Sequence, residues 1–244
     1  MTEGELWARE ALDRLRAEGL GQAAIARFLV ASQRRANVNR AARPELAEQA
    51  RRWTAFGAAA WLLVGRSAGG LAWWGFTALM LDWHLGMVET ESGSPRRLGP
   101  ADACTLARCW LVPLAAERAN PLVLAAGFAS DVADGRLARA SAPTRAGRDL
   151  EGAVDVAFAA ASLRGAVRAG GLSRVVAALE GARLGAGVAA TTASYFGHSR
   201  SPEPRGARST APVRAAGLLA AGLGRRRWAN VLVAAGALAG ARAG

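Results

Sequence analysis

The sequence predicts an all-α fold, a bundle of helices rich in small apolar residues. Three observations point there. Apolar segments of helical length alternate with short Pro-, Gly- and Ser-bearing connectors. Acidic residues recur at i, i+3 and i, i+4 inside apolar segments, the spacings that share a helix face. Alanine and glycine dominate those segments, and small residues let helices pack closely. Hydropathy alone leaves open whether the bundle lies in a membrane or is an Ala-rich bundle in water. No run of eighteen uncharged residues occurs, the simple criterion for a membrane span.

Each element follows from its residues. Residues 5–34 read as an amphipathic helix, broken near Gly19 and Gly21, with Leu6, Trp7, Leu12, Leu15, Ile25, Phe28 and Leu29 apolar. Such a helix lies on a membrane surface or caps the body. Residues 36–50 are polar, and Pro44 opens the next helix. Two apolar helices follow, about 46–65 and 68–88, joined by a turn at 65–70. Trp53, Trp61, Trp73, Trp74 and Trp83 cluster here, and tryptophan favours the membrane interface. His84, beside Asp82, reads as an interfacial hydrogen-bonder or a functional histidine. Residues 89–99, ETESGSPRRLG, are a polar linker and the predicted domain boundary. Six helices follow, about 101–117, 120–139, 147–168, 172–196, 211–223 and 226–241, with a Pro-, Ser- and Arg-rich loop before the fifth. The predicted organisation is an amphipathic amino-terminal segment (1–45), two added membrane helices (46–88), the linker (89–99) and a six-helix core (100–244).

At 244 residues the chain is one domain with an amino-terminal extension. All 31 basic residues are arginine, and the net charge is +12. A GC-rich genome accounts for most of that bias. The charge nevertheless suits anionic headgroups and phosphorylated substrates. Nucleic acid ranks low, because no nucleic-acid motif or aromatic-interleaved basic strand occurs. Cys104 and Cys109, five apart on one predicted helix, read as buried free thiols. The charged amino terminus predicts no signal peptide.

The stretch 130–155, SDVADGRLARASAPTRAGRDLEGAVD, carries the chemistry. Asp131 and Asp134 close one predicted helix; Glu151 and Asp155 open the next. Four carboxylates on facing helices can hold one or two divalent cations. Gly135 and Gly147 beside them admit a phosphate-bearing ligand to the backbone. The plainer alternative is a set of helix-end charges on a soluble α-protein, with Gly135 as a C-cap. Repeated acids within apolar helices weigh against it, because unpaired charge there is costly.

This stretch resembles the pattern of the CDP-alcohol phosphotransferases, D-x2-D-G-x2-A-R-x8-G-x3-D-x3-D. Asp131, Asp134, Gly135, Ala138, Arg139, Gly147 and Asp155 match. Two departures stand out: Arg139 and Gly147 are separated by seven residues, and the third acid is Glu151. The segment GPADACTLARCWLVP resembles the family's first core helix, with Thr105 and Arg108 matching and Asp102 where asparagine is usual.

The resemblance implies an integral membrane enzyme, a six-helix core and commonly a homodimer. It would move a phosphatidyl or similar group from a CDP-linked donor, CDP-diacylglycerol above all, to a small alcohol, releasing CMP. It implies magnesium or manganese, two ions, on Asp131, Asp134, Glu151 and Asp155, with Asp155 as general base. Asp131, Gly135, Ala138, Arg139, Gly147, Thr105 and Asp102 would border the nucleotide. Arg108, Arg145, Arg148 and Arg214 are candidates for an acceptor phosphate, since arginine suits oxyanions. Arginine placement supports a cytosolic amino terminus and a cytoplasm-facing site in the cell membrane, although Arg225, Arg226 and Arg227 fall on the other side. A competing reading is a non-catalytic membrane relative that binds nucleotide or lipid, or partners an active enzyme. A third is an Arg-rich soluble protein that binds acidic polymers.

Overall fold

A computed structural model describes residues 2–64, 67–90, 92–141, 144–197 and 205–242. Among these the elements are α1 (Glu3–Ala17), α2 (Gln22–Ala42), α3 (Pro44–Val64), α4 (Ala68–His84), a 3-10 turn (Leu85–Met87), α5 (Pro100–Glu117), α6 (Pro121–Ser141), α7 (Arg145–Arg168), α8 (Arg174–Gly197), α9 (Arg205–Gly222) and α10 (Arg226–Arg242). The all-α expectation and the order of helices therefore hold. The predicted break in the first helix falls at Gly19 and Leu20, both with positive φ. Pro44 opens α3 as expected, since the residue before proline is driven out of helical geometry. α9 begins at Arg205, before the predicted start, and runs through Pro212. Most of the Pro-rich loop before it, and the centre of the predicted turn at 65–66, lie outside the described residues.

The membrane expectation is overturned. Among the described residues no helix is long and apolar enough to cross a membrane. That removes the membrane helices, the integral placement in the cell membrane and the derived topology with a cytoplasm-facing site. The physical reason is visible in α3 and α4. The first half of α3 carries Glu45, Glu48, Arg51 and Arg52, which leaves twelve uncharged residues at 53–64. At 1.5 Å per residue these cover about 18 Å, against roughly 30 Å of bilayer hydrocarbon. α4 has 17 residues and contains Asp82. Elsewhere the apolar segments are divided by charges, such as Glu180 and Arg183 in α8.

The tryptophans that looked like interface markers have other work. Trp61 lies over Gly70, and Trp74 over Gly57; a Cβ at either glycine would come within about 2 Å of an indole ring atom. The indole N–H of Trp61 donates to the Ser67 carbonyl at 3.2 Å, and that of Trp74 to the Thr54 carbonyl at 2.8 Å. Both rings are buried. Reciprocal Trp-on-Gly packing thus staples α3 to α4, and Ser67 caps α4 through the Gly70 N–H. Trp83 donates to Gln33 on α2, His84 Nδ1 meets the Met80 carbonyl, and Asp82 pairs with Arg40.

The chain divides into two compact units, residues 1–106 with 133–152, and residues 107–132 with 153–244. In the first unit Arg43 binds the Leu85 and Val88 carbonyls, and the linker folds as a tight turn around Gly93 with an isolated bridge between Glu89 and Pro95. In the second, Val112, Leu124, Phe158, Leu163, Leu218 and Val233 form the buried interior. Cys104 and Cys109 form no disulfide; Cys109 is buried as expected, whereas Cys104 is only partly so.

Candidate functional site

α6 and α7 carry the acidic residues. Glu151 and Asp155 stand one turn apart on α7, as their i, i+4 spacing dictates. Asp131, Glu151 and Asp155 each offer a carboxylate oxygen, and these oxygens all lie within 4.8 Å of one another. Three hard oxygen donors at that separation can hold a divalent ion of the magnesium, manganese or calcium type. The Asp131 and Asp155 side chains are 50% and 44% exposed, which leaves room for water or a ligand on the same ion.

Asp134, the other predicted ligand, is not among these three. It is buried, and its carboxylate accepts the Thr105 hydroxyl at 2.6 Å. The i, i+3 spacing put Asp131 and Asp134 near one face of α6, but one turn of helix separates an exposed carboxylate from a buried one. Thr105, predicted beside the nucleotide, here satisfies that buried acid.

Arg108 is the residue whose role changes most. Its side chain is 2% exposed. The guanidinium pairs with Asp155, lies 3.4 Å from an Asp131 oxygen and donates to the Ser130 hydroxyl. Its guanidinium is thus engaged by two carboxylates and a hydroxyl. The signal was in the sequence: Arg108 was one of few charges inside an apolar helix, where a charge needs a partner.

The start of α7 forms a second polar set. Gly147 N–H donates to Thr144 Oγ1 at 3.0 Å, and Thr144 Oγ1 lies 3.4 Å from Asp102 Oδ1. Asp102 Oδ2 accepts the Gly99 N–H at 2.7 Å. Burial pushes the Asp102 carboxyl above its ordinary range, opposed by the Gly99 N–H and Thr144 and aided by nearby Asp134. A Cβ at Gly147 would meet Thr144 Oγ1 at 2.9 Å and Asp102 Oδ1 at 3.2 Å, so a larger residue would displace those two side chains. At Gly135 the nearest atom to such a Cβ is the Arg139 guanidinium at 3.4 Å. Gly135, Ala138 and Arg139 share α6, with Arg139 exposed.

The remaining predicted arginines are dispersed. Arg145 pairs with Glu5 of α1 and approaches Glu89, and its backbone N–H donates to the Glu89 carbonyl. Arg148 is exposed and lies near Asp149. Arg214 on α9 joins Glu180 and Arg183 of α8: Arg183 donates twice to Glu180, at 2.8 and 2.6 Å, and Arg214 Nε lies 3.2 Å away. Burial lowers the Arg214 pKa, as does neighbouring Arg183, while Glu180 raises it. Arg145 and Arg148 belong to the first unit, Arg108 and Arg214 to the second.

No family model matches this chain, and no curated protein or solved structure does either.

Proposed function

We propose that this chain is a divalent-metal-dependent phosphotransferase acting on a CDP-linked donor. The convergence of the Asp131, Glu151 and Asp155 carboxylates, in a stretch that resembles a CDP-alcohol phosphotransferase motif apart from a loop one residue shorter and Glu151 in place of Asp, carries the reading. The acceptor hydroxyl oxygen would attack the phosphorus that bears the donor's alcohol. A new phosphate ester forms, the phosphoanhydride bond breaks, and CMP leaves with the bonding electrons. The acceptor proton goes to the Asp155 carboxylate, which is open to solvent and held in place by Arg108. A magnesium or manganese ion on the three carboxylates supplies charge neutralisation for the diphosphate when bound. Arg139, exposed beside Gly135, would meet the nucleotide phosphate. CDP-diacylglycerol is one candidate donor; glycerol phosphate, inositol phosphate, inositol and serine are candidate acceptors.

One observation favours a second reading, a relative that binds without turnover. Arg108 already sets a cation beside Asp131 and Asp155, and Asp134 is engaged by Thr105. A single assay separates the two. CMP release is measured with CDP-diacylglycerol, magnesium and the acceptor panel, for the parent and for Asp155→Asn. Release that needs metal, one acceptor and Asp155 supports the enzyme. Nucleotide binding without release in folded protein supports the second reading and sinks the first.

A further inference from the structure

The α3–α4 hairpin has an outer surface that nothing within its own packing explains. Its inner face is complete: Trp61 and Trp74 fill the space over Gly70 and Gly57, and both indole N–H groups have acceptors. Yet Phe56, Leu62, Leu63, Val64, Leu71 and Phe76 are exposed, with Phe56 at 77% and Leu63 at 87%. On α3 the exposed positions 52, 55, 56, 59, 62 and 63 follow helical spacing and form one stripe. Scattered apolar side chains on a surface need no account, whereas a contiguous patch marks a contact.

Charge identifies the contact. The chain has 19 acidic residues, yet none occurs over residues 49–81. The charges there are Arg51, Arg52 and Arg66. Arg51 and Arg52 are largely exposed, one turn before Phe56 on α3. Arg51 also lines the shallow groove between the two helices, with Ala55, Ala58, Leu71 and Ala78. Glu48, just before this span, pairs with Arg51 and Arg52 at 2.7 and 3.0 Å, and two guanidinium groups against one carboxylate leave the collar net positive. An apolar face with a net positive collar complements a surface that is apolar within and phosphate-bearing at its edge. A second copy of the chain fits less well, because two molecules of net charge +12 repel and would bring like collars together.

We propose that the outer face of the α3–α4 hairpin docks on an anionic lipid surface, the Phe56–Leu63 stripe entering the headgroup boundary and Arg51 and Arg52 meeting lipid phosphates. Such docking reaches about 5–10 Å into one leaflet. It needs no helix to cross, and so agrees with the absence of a spanning helix among the described residues. Long arginine side chains keep their charge at the phosphates while the apolar face sinks. This inference is independent of the acidic site.

The test is flotation of the purified full-length chain with phosphatidylcholine vesicles, with and without phosphatidylglycerol. The parent should float with the anionic vesicles, and less so at high salt. Leu62→Ser with Leu63→Ser should lower vesicle partitioning about tenfold or more. Arg51→Gln with Arg52→Gln should lower the preference for anionic vesicles roughly tenfold. Phe56→Ser provides a second apolar variant, and far-ultraviolet circular dichroism checks that each folds. A parent that does not float, or serine variants that float equally well, overturns the proposal. A dimer in sedimentation that the serine pair dissolves, with no flotation, assigns the face to a second copy instead.

Discussion

Two arginine–carboxylate clusters show opposite constructions. At the first, Arg108 is 2% exposed while Asp131 and Asp155 are about half exposed. At the second, all three groups are largely buried: Glu180 is 5% exposed, Arg183 18% and Arg214 12%. Including Glu151, the first holds three carboxylates against one guanidinium, a surplus of negative charge that faces water. The second sets two guanidinium groups around one carboxylate, and both signs of charge are largely withdrawn from water. A buried ion that loses its partner is strongly destabilising, whereas exposed partners rehydrate. The first arrangement is therefore suited to exchanging a cation at its open side. The second is suited to tying α8 to α9.

The largest expected effect tests whether the open cluster does chemistry. Asp155→Asn should lower metal-dependent CMP release by about 10²- to 10⁴-fold, and should also lower the melting temperature because buried Arg108 loses its nearest carboxylate. Unchanged turnover would remove Asp155 as the base. Next, Glu180→Gln should cost about 3–5 kcal/mol in urea unfolding, because Arg183 and Arg214 keep their charges without a carboxylate. A loss no larger than that of a surface pair would erase the contrast.

Arg108→Gln should be milder, roughly 1–3 kcal/mol, since Asp131 and Asp155 can hydrate. The same variant should bind Mn2+ about tenfold more tightly in titration calorimetry, one positive charge having left the carboxylates. Equal Mn2+ affinity would show that the guanidinium does not compete at that site.

The smallest effect concerns Asp102. Its folded pKa is raised above the ordinary 3.8 by burial, so its charged form disfavours the fold at neutral pH. That penalty is relieved as pH falls through the raised value toward 3.8. Asp102→Asn should therefore melt on the order of 1–2 °C higher than the parent at pH 7. The advantage should vanish on acidification over that window. A parent whose relative stability fell on acidification would reverse the assigned sign.

Much of the helical plan was legible because its signals are local. Pro44, the glycines near 19–21 and the polar connectors punctuate the chain, and acids at i, i+4 must share a face of α7. The tryptophans were misread because composition cannot distinguish an indole at a lipid interface from one seated on a glycine of a neighbouring helix. Gly57 and Gly70 were the clue, and they acquire meaning only when paired with Trp74 and Trp61 across the hairpin. Arg108 was similar. Its place in an apolar helix required a partner, but spacing along the chain could not say that the partners were Asp131 and Asp155.

By itself, then, the sequence determined most of the helical segments and that Glu151 and Asp155 lie together, because backbone punctuation and helical period act over a few residues, although α2 runs on to Ala42 and α9 starts earlier, at Arg205. Tertiary structure decided which carboxylates converge. It set Asp134 against Thr105 and left Asp131 open, and it buried the Arg108 guanidinium beside Asp155. Burial and charge pairing depend on residues far apart in the chain, and no local pattern encodes which of two neighbouring acids will face water.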